Sequence, residues 1–220
     1  MNRLFALWDT TVGKKVAMAT TGVVMILFLI SHTISNVLIF SNPAHLDSYA
    51  AWLRSLGPAL WVARAILLAC VLIHIAAAYQ LTMRARRARP IQYSKHEQQV
   101  ATYASRTMRW GGVLLAVFIV FHILHFTTGT FHPDFHRGEV GRNVMEGMAV
   151  TPVAIFYLIA MLALGLHFAH GIWSAFQTLG FDHPSYRRAR LILAWSLAIL
   201  VAGGLATIPI ASLLGYLRWH

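Results

Sequence analysis

The sequence predicts an all-α integral membrane protein, a bundle of five transmembrane helices. Of its 220 residues, 58% are hydrophobic and only 11% are charged, whereas about 25% of the residues of a soluble domain carry a charge. The apolar residues also form five runs, and each is long enough for the roughly 20 residues that a helix needs to cross a bilayer. We therefore expect one domain, residues 1–220, which is the bundle itself.

Local signals mark the ends of the spans. Asn42-Pro43 ends the first span, Gly57-Pro58 precedes the second, and Thr151-Pro152 begins the fourth with proline at its first helical position. The segment 44–57 has the apolar spacing of a short helix, with aromatic side chains typical of interfacial anchors, so we expect it to lie in the outer membrane interface. The predicted spans cover about residues 16–40, 59–83, 108–128, 152–178 and 191–214.

The basic residues predict the orientation. With the N-terminus in the cytoplasm, thirteen of the 18 Lys and Arg residues lie in inner segments, as the positive-inside rule requires. This asymmetry accounts for the net charge of +11 and argues against a nucleic-acid partner. The first apolar run is too long for a signal-peptide core, so we expect it to remain as a membrane anchor. The expected location is a bacterial cytoplasmic membrane, which the protein crosses several times. The outer segments hold Arg54, Arg64, Arg137, Arg142 and Arg218.

Six histidines lie inside four of the spans. An ionisable side chain within a membrane is costly and usually has a partner and a function. At about 1.5 Å rise per residue, His32 and the span III histidines fall in the outer half, and His74 and the span IV histidines in the inner half. Each level has imidazoles on two helices, which predicts axial ligands for two stacked haems. The six are His32, His74, His122, His125, His167 and His170.

Two of the spans carry a His-x-x-His pair. Residues three apart share a helix face, so both members of each pair point inward, but only one can be a ligand if four ligands hold two haems. Depth alone slightly favours His125 and His170. Cys70 is the only cysteine and no Cys-x-x-Cys-His occurs, so haem would not be covalently attached. The other histidines are expected in loops: His45, His96, His132, His136, His183 and His220.

Several stretches, collinear over residues 11–180, resemble the cytochrome b subunit of succinate dehydrogenases and fumarate reductases. The similarity is to the branch with a single membrane subunit, five spans and two b haems. The most specific stretch runs from Gly165 to Ser174. Others are Gly13-Lys14-Lys15 with His32 and Asn36, Leu56-Gly57-Pro58, Leu72-Ile73-His74-Ile75, Ala88-Arg89-Pro90, Arg109-Trp110-Gly111-Gly112 and Phe118 to His125.

The resemblance implies the ligands and the partners. His32 with His122 would hold the outer haem, and His74 with His167 the inner one, which leaves His125 and His170 as second choices. A flavoprotein subunit would perform the dicarboxylate chemistry, and a docked iron–sulfur subunit would exchange electrons with membrane quinone, for which menaquinone is favoured. A carboxylate near the outer haem serves the quinone in some relatives. His45 and Asp47 are weak candidates for that site, and a surface role is favoured for each.

Two alternatives remain open from the residues alone. One is the cytochrome b subunit of a hydrogenase or formate dehydrogenase, although those tend to place several ligands on one span. The other is a non-haem metal transporter or membrane metalloenzyme that uses the His-x-x-His pairs, although hard metals usually recruit carboxylates as well. Candidate partners for the propionates of the inner haem are Lys15, Arg84, Arg106 and Arg109, each of which also fits simple positive-inside anchoring.

Overall fold

The computed structural model describes residues 8–88 and 103–219, with side chains from residue 106 onward in the second range, and all regular structure within them is helical. The prediction of an all-α fold is therefore confirmed. Five helical segments within these ranges are long and apolar enough to cross a membrane, which confirms the predicted number of spans. Residues named above that lie outside the described ranges are Arg89, Pro90, His96 and His220.

The helices follow the predicted order. The first span is α1 (Thr11–Asn36) with a 3₁₀ turn (Val37–Phe40), and the last consists of a 3₁₀ turn (Pro184–Tyr186), α7 (Arg187–Ala198), a π-helical turn (Ile199–Gly203) and α8 (Gly204–Leu213). Between them lie α2 (Pro43–Ser55), α3 (Pro58–Arg87), α4 (Tyr103–Phe126), α5 (Val140–Ala149) and α6 (Thr151–Thr178).

Capping residues determine where several helices begin. The Thr10 side chain accepts a hydrogen bond from the Gly13 amide at 2.8 Å, and the Asn42 side chain accepts one from Ala44 at 2.9 Å. These bonds satisfy amides that have no partner within the helix. Gly57, just before α3, has a φ of 53°, a conformation that residues with a Cβ seldom adopt.

α6 is the centre of the bundle. It packs against α1, α4, α5, α7 and α8, while α1 packs closely against α3. Within the described residues, neither α1 with α4 nor α3 with α6 is a closely packed helix pair. The α1–α3 and α4–α6 pairs therefore meet mainly through the contact of α1 with α6.

The two ends of the bundle differ. At one end, called here the capped end, α2 and α5 pack against each other, and α5 also packs against α6 and α8. At the other, called the basic end, α1 begins, α3 finishes with three arginines in its last turn, and α7 begins. The placement of α2 in a membrane interface, and of the basic end in the cytoplasm, stay predictions.

Helix α5 lies between the third and fourth predicted spans, where the sequence predicts no helix. Its apolar side chains Val144, Met145 and Met148 are buried, at the i, i+1, i+4 spacing of one helix face. The helix is short and contains two glycines, so its propensity is weak and tertiary packing stabilises it. The Asp47 carboxylate accepts a hydrogen bond from the Gly141 amide at 2.9 Å and so joins α2 to α5.

Candidate functional site

Four intramembrane histidines form two pairs of facing rings. The ring centres of His32 on α1 and His122 on α4 are 5.9 Å apart, with an interplanar angle of 86°. Those of His74 on α3 and His167 on α6 are 6.2 Å apart, at 55°. All four rings are half-buried. Each pair thus joins two helices whose backbones are not closely packed.

The spacing fits a metal ion held between two imidazoles. With a metal–nitrogen bond of about 2.0 Å and about 1.1 Å from nitrogen to ring centre, two axial imidazoles would have centres about 6 Å apart. Both observed separations agree with this value. The residues therefore fit two bis-histidine haems.

A backbone carbonyl orients His74. Its Nδ1 lies 3.0 Å from the Met18 carbonyl oxygen and 3.4 Å from the Thr21 hydroxyl. A carbonyl can only accept a hydrogen bond, so Nδ1 carries the ring hydrogen and donates it. The lone pair is then on Nε2, which is how a neutral imidazole ligates a metal while its other nitrogen is held.

A tyrosine hydroxyl holds His122. The His122 Nδ1 lies 3.2 Å from the Tyr157 hydroxyl oxygen, and the Nδ1 of His125 lies 3.1 Å from the same oxygen. Tyr157 is on α6 and is only 6% exposed. Its role went unnoticed in the sequence, although a tyrosine deep in a span needs a partner for its hydroxyl.

The second members of the His-x-x-His pairs occupy different surroundings. His125 is fully buried, and its ring stacks on His132 at 5.2 Å and lies 4.1 Å from Phe126, with no ring contact to His32. Within the described residues, His170 is half-buried and makes no ring contact with another imidazole. The structure thus places His122 and His167, rather than their neighbours, opposite the histidines of the other helix pair.

His132 lies in a loop, as the sequence predicts, but it is buried there. The loop lies between α4 and α5, and His132 is only 9% exposed. Its Nε2 donates to the Asn143 carbonyl at 2.7 Å, and its Nδ1 accepts from the Asp134 amide at 3.1 Å. Because one ring nitrogen donates and the other accepts, the neutral tautomer of His132 is determined.

Both candidates for a quinone-site group already have a hydrogen-bond partner. His45 is exposed and its Nδ1 lies 2.9 Å from the Ser41 hydroxyl. The Asp47 carboxylate binds the α5 backbone, as described above.

The basic end contains two buried cations that are not among the propionate partners predicted from the sequence. Lys14 is 1% exposed and its Nζ donates to the Trp8 carbonyl. Arg190 forms an ion pair with Asp182, and its guanidinium lies 4.6 Å from the centre of the Trp173 ring. By contrast, the predicted propionate partners Lys15, Arg84, Arg106 and Arg109 are exposed.

A charged network covers the outside of α5. The Arg142 guanidinium contacts Glu146 at 2.9 Å, Asp134 at 3.2 Å and Glu139 at 3.4 Å. The hydrogen bond with His136, aided by Arg142, lowers the pKa of the exposed Asp134. The carboxylates of this network therefore already have a cationic partner.

A sequence model of a known protein family matches this chain. The sequence model described as succinate dehydrogenase/fumarate reductase transmembrane subunit matches residues 82–205, more than half of the chain. The chain belongs to this family. This transmembrane subunit has His122 and His167 inside the matched segment, whereas His32 and His74 precede it. Searches of curated proteins and of solved structures gave no match.

Proposed function

We propose that this transmembrane subunit passes electrons between a docked iron–sulfur subunit and membrane quinone through two bis-histidine b haems. The observation that carries the proposal is the pairing of His32 with His122 and of His74 with His167 at about the ring separation that axial ligation needs. The four ligands would come from four helices, one from each.

The structure supports one choice within each His-x-x-His pair. His122 faces His32, whereas His125 is buried against His132 and Phe126. His167 faces His74, whereas His170 faces no described imidazole. We therefore propose His122 and His167 as the ligands, in agreement with the family resemblance and against the slight preference from depth.

The protein's contribution is to hold and orient the imidazoles. When bound, the haems would supply one-electron redox chemistry. The Met18 carbonyl fixes the His74 ring so that Nε2 is free for the metal, and the Tyr157 hydroxyl can accept from the Nδ1 of His122 with the same result. Two imidazoles at each iron would leave no axial position for oxygen, so the sites favour electron transfer.

The basic end is the proposed docking face for the iron–sulfur and flavoprotein subunits. The side chains of Arg86, Arg87, Arg187 and Arg188 are exposed there. Its excess of positive charge also favours the cytoplasmic side, which is where the positive-inside rule places such residues. Menaquinone is the proposed electron partner in the membrane, with His45 and Asp47 as the remaining candidates for its site.

Replacing single ligands tests the haem assignment. A haemochrome assay of the purified complex should find two haems per chain in the wild type and one in His74→Ala, because the unpaired imidazole cannot hold a six-coordinate haem alone. His122→Ala should lose the other haem, as judged by the reduced-minus-oxidised spectrum. His125→Ala and His170→Ala are matched controls that should keep both haems.

Two results would contradict the proposal. Loss of haem in His125→Ala with retention in His122→Ala would reverse the ligand choice on α4. A preparation made with ample haem and its natural partners that shows no haem spectrum would favour the metal-transporter alternative. The sequence already weighs against that alternative, because the five spans contain no Asp or Glu beside the histidines.

A further inference from the structure

The Tyr157 hydroxyl lies between two imidazoles of the same helix. It is 3.2 Å from the Nδ1 of His122 and 3.1 Å from the Nδ1 of His125. All three groups lie in a hydrophobic core that includes Phe118 and Phe121. Unpaired polar groups are costly in such surroundings, so the two Nδ1 atoms and the hydroxyl bond one another, whereas the buried Nε2 of His125 has no partner within the described residues.

The single hydroxyl hydrogen makes the two imidazoles unequal. If His122 ligates a metal through Nε2, its Nδ1 must carry a hydrogen, which it donates to the Tyr157 oxygen. The Tyr157 O–H is then available to donate to the Nδ1 of His125, which accepts. In the reverse arrangement the hydroxyl donates to His122, whose neutral ring would then carry its hydrogen on Nε2 and could not ligate.

The ring of His125 is held firmly in place. The residue is completely buried, with 0% of its surface exposed, and its ring stacks on His132 at 5.2 Å between ring centres. A Cβ on Gly147 would lie only 2.9 Å from both the His125 and the His132 rings, so α5 packs directly against them. His132 is itself bonded to Asn143 and Asp134.

We infer that His125 is a positioning residue, which acts through the Tyr157 hydroxyl to orient His122 and to increase its electron donation to the metal. A hydroxyl that donates to His125 is a better acceptor for the Nδ1–H of His122, because hydrogen bonds in a chain strengthen one another. A stronger acceptor at Nδ1 makes Nε2 more basic. This role rests on the proposed ligation by His122, and it gives the second histidine of the pair a function without ligation.

Redox titration of the two haems, followed by absorbance, tests the inference. Tyr157→Phe removes only the hydroxyl, so both haems should remain. The reduction equilibrium of the His32/His122 haem should shift three- to tenfold toward the reduced iron, which is about 28 to 59 mV for a one-electron couple. His125→Leu should shift the same haem in the same direction by a smaller amount. His125→Asn, which returns an amide oxygen near the Nδ1 position, should restore it.

The second haem is the internal control, because its ligand His74 bonds a backbone carbonyl. Thr20→Val is the matched variant on α1, because the Thr20 hydroxyl bonds the Val16 and Ala17 carbonyls rather than an imidazole, and it should leave both potentials unchanged. An unchanged potential in Tyr157→Phe, or equal shifts in His125→Asn and His125→Leu, would overturn the inference. Loss of a haem from His125→Asn, with His122→Ala keeping two, would instead refute the proposed function on which it rests.

Discussion

The two imidazole pairs differ in what holds their rings. At the basic-end pair, His74 bonds a main-chain carbonyl that belongs to helix α1. At the capped-end pair, His122 bonds a tyrosine side chain whose hydroxyl is shared with a second histidine. A carbonyl partner cannot be removed by substituting a side chain, whereas a hydroxyl partner can be changed at one position. A side-chain substitution can therefore change the hydrogen bond to His122 while the hydrogen bond to His74 stays the same.

The surroundings of the two pairs differ in packing as well. The glycine beside His74 is Gly22, where an added Cβ would make an ordinary contact at 3.6 Å from the ring. The glycine beside His125 is Gly147, where the same atom would come within 2.9 Å of two rings. The rings beside Gly147 therefore leave no room for a larger side chain, whereas the ring beside Gly22 leaves room for a methyl group.

The largest expected effect follows from this difference. Gly147→Ala should lower the free energy of unfolding by about 2 kcal/mol, because the two buried rings must shift to admit the methyl group. Gly22→Ala is the matched variant and should change it by less than about 1 kcal/mol, since alanine also favours the helix. Thermal unfolding in detergent measures both. Equal stability of the two variants would contradict this prediction, because it would show that the two rings can shift to admit the methyl group without cost.

The ion pairs at the two ends allow an intermediate test. Asp182→Asn should destabilise the protein by about 1 to 2 kcal/mol, less than for a fully buried pair because Asp182 is 46% exposed. The reason is that the Arg190 side chain, only 6% exposed, would lose its charged partner. Asp134→Asn is the control, since Arg142 keeps Glu139 and Glu146 as partners. A greater loss in Asp134→Asn than in Asp182→Asn would contradict this ranking.

The smallest expected effect is on the stability of the fold at acidic pH. Because the pKa of Asp134 is lowered in the folded state by His136 and Arg142, its ionised form stabilises the protein above the unfolded-state value of about 3.9. That stabilisation is lost as the pH falls through the lowered folded-state pKa. Unfolding measured from pH 6 down to pH 3 should show a slightly steeper loss in the wild type than in Asp134→Asn. Superimposable curves would indicate that the network on α5 has no net effect.

Much of the candidate site could be predicted from the sequence, and the rest depended on packing. The five spans and the two levels of histidines follow from hydrophobicity and from a constant helical rise, both of which are local. Depth could not choose between His122 and His125, because residues three apart differ by less than the error in the ends of a span. The buried His132 was unpredictable, since its loop is covered only when α5 folds onto the bundle.

The sequence by itself determined that this is a membrane bundle with imidazoles on four helices, because composition and periodicity act within each segment. Tertiary structure decided which rings face each other, that Tyr157 lies between two histidines, and that α5 covers them. Those features depend on how each helix is rotated and on contacts between residues far apart in the chain. Such contacts form only when the helices pack together.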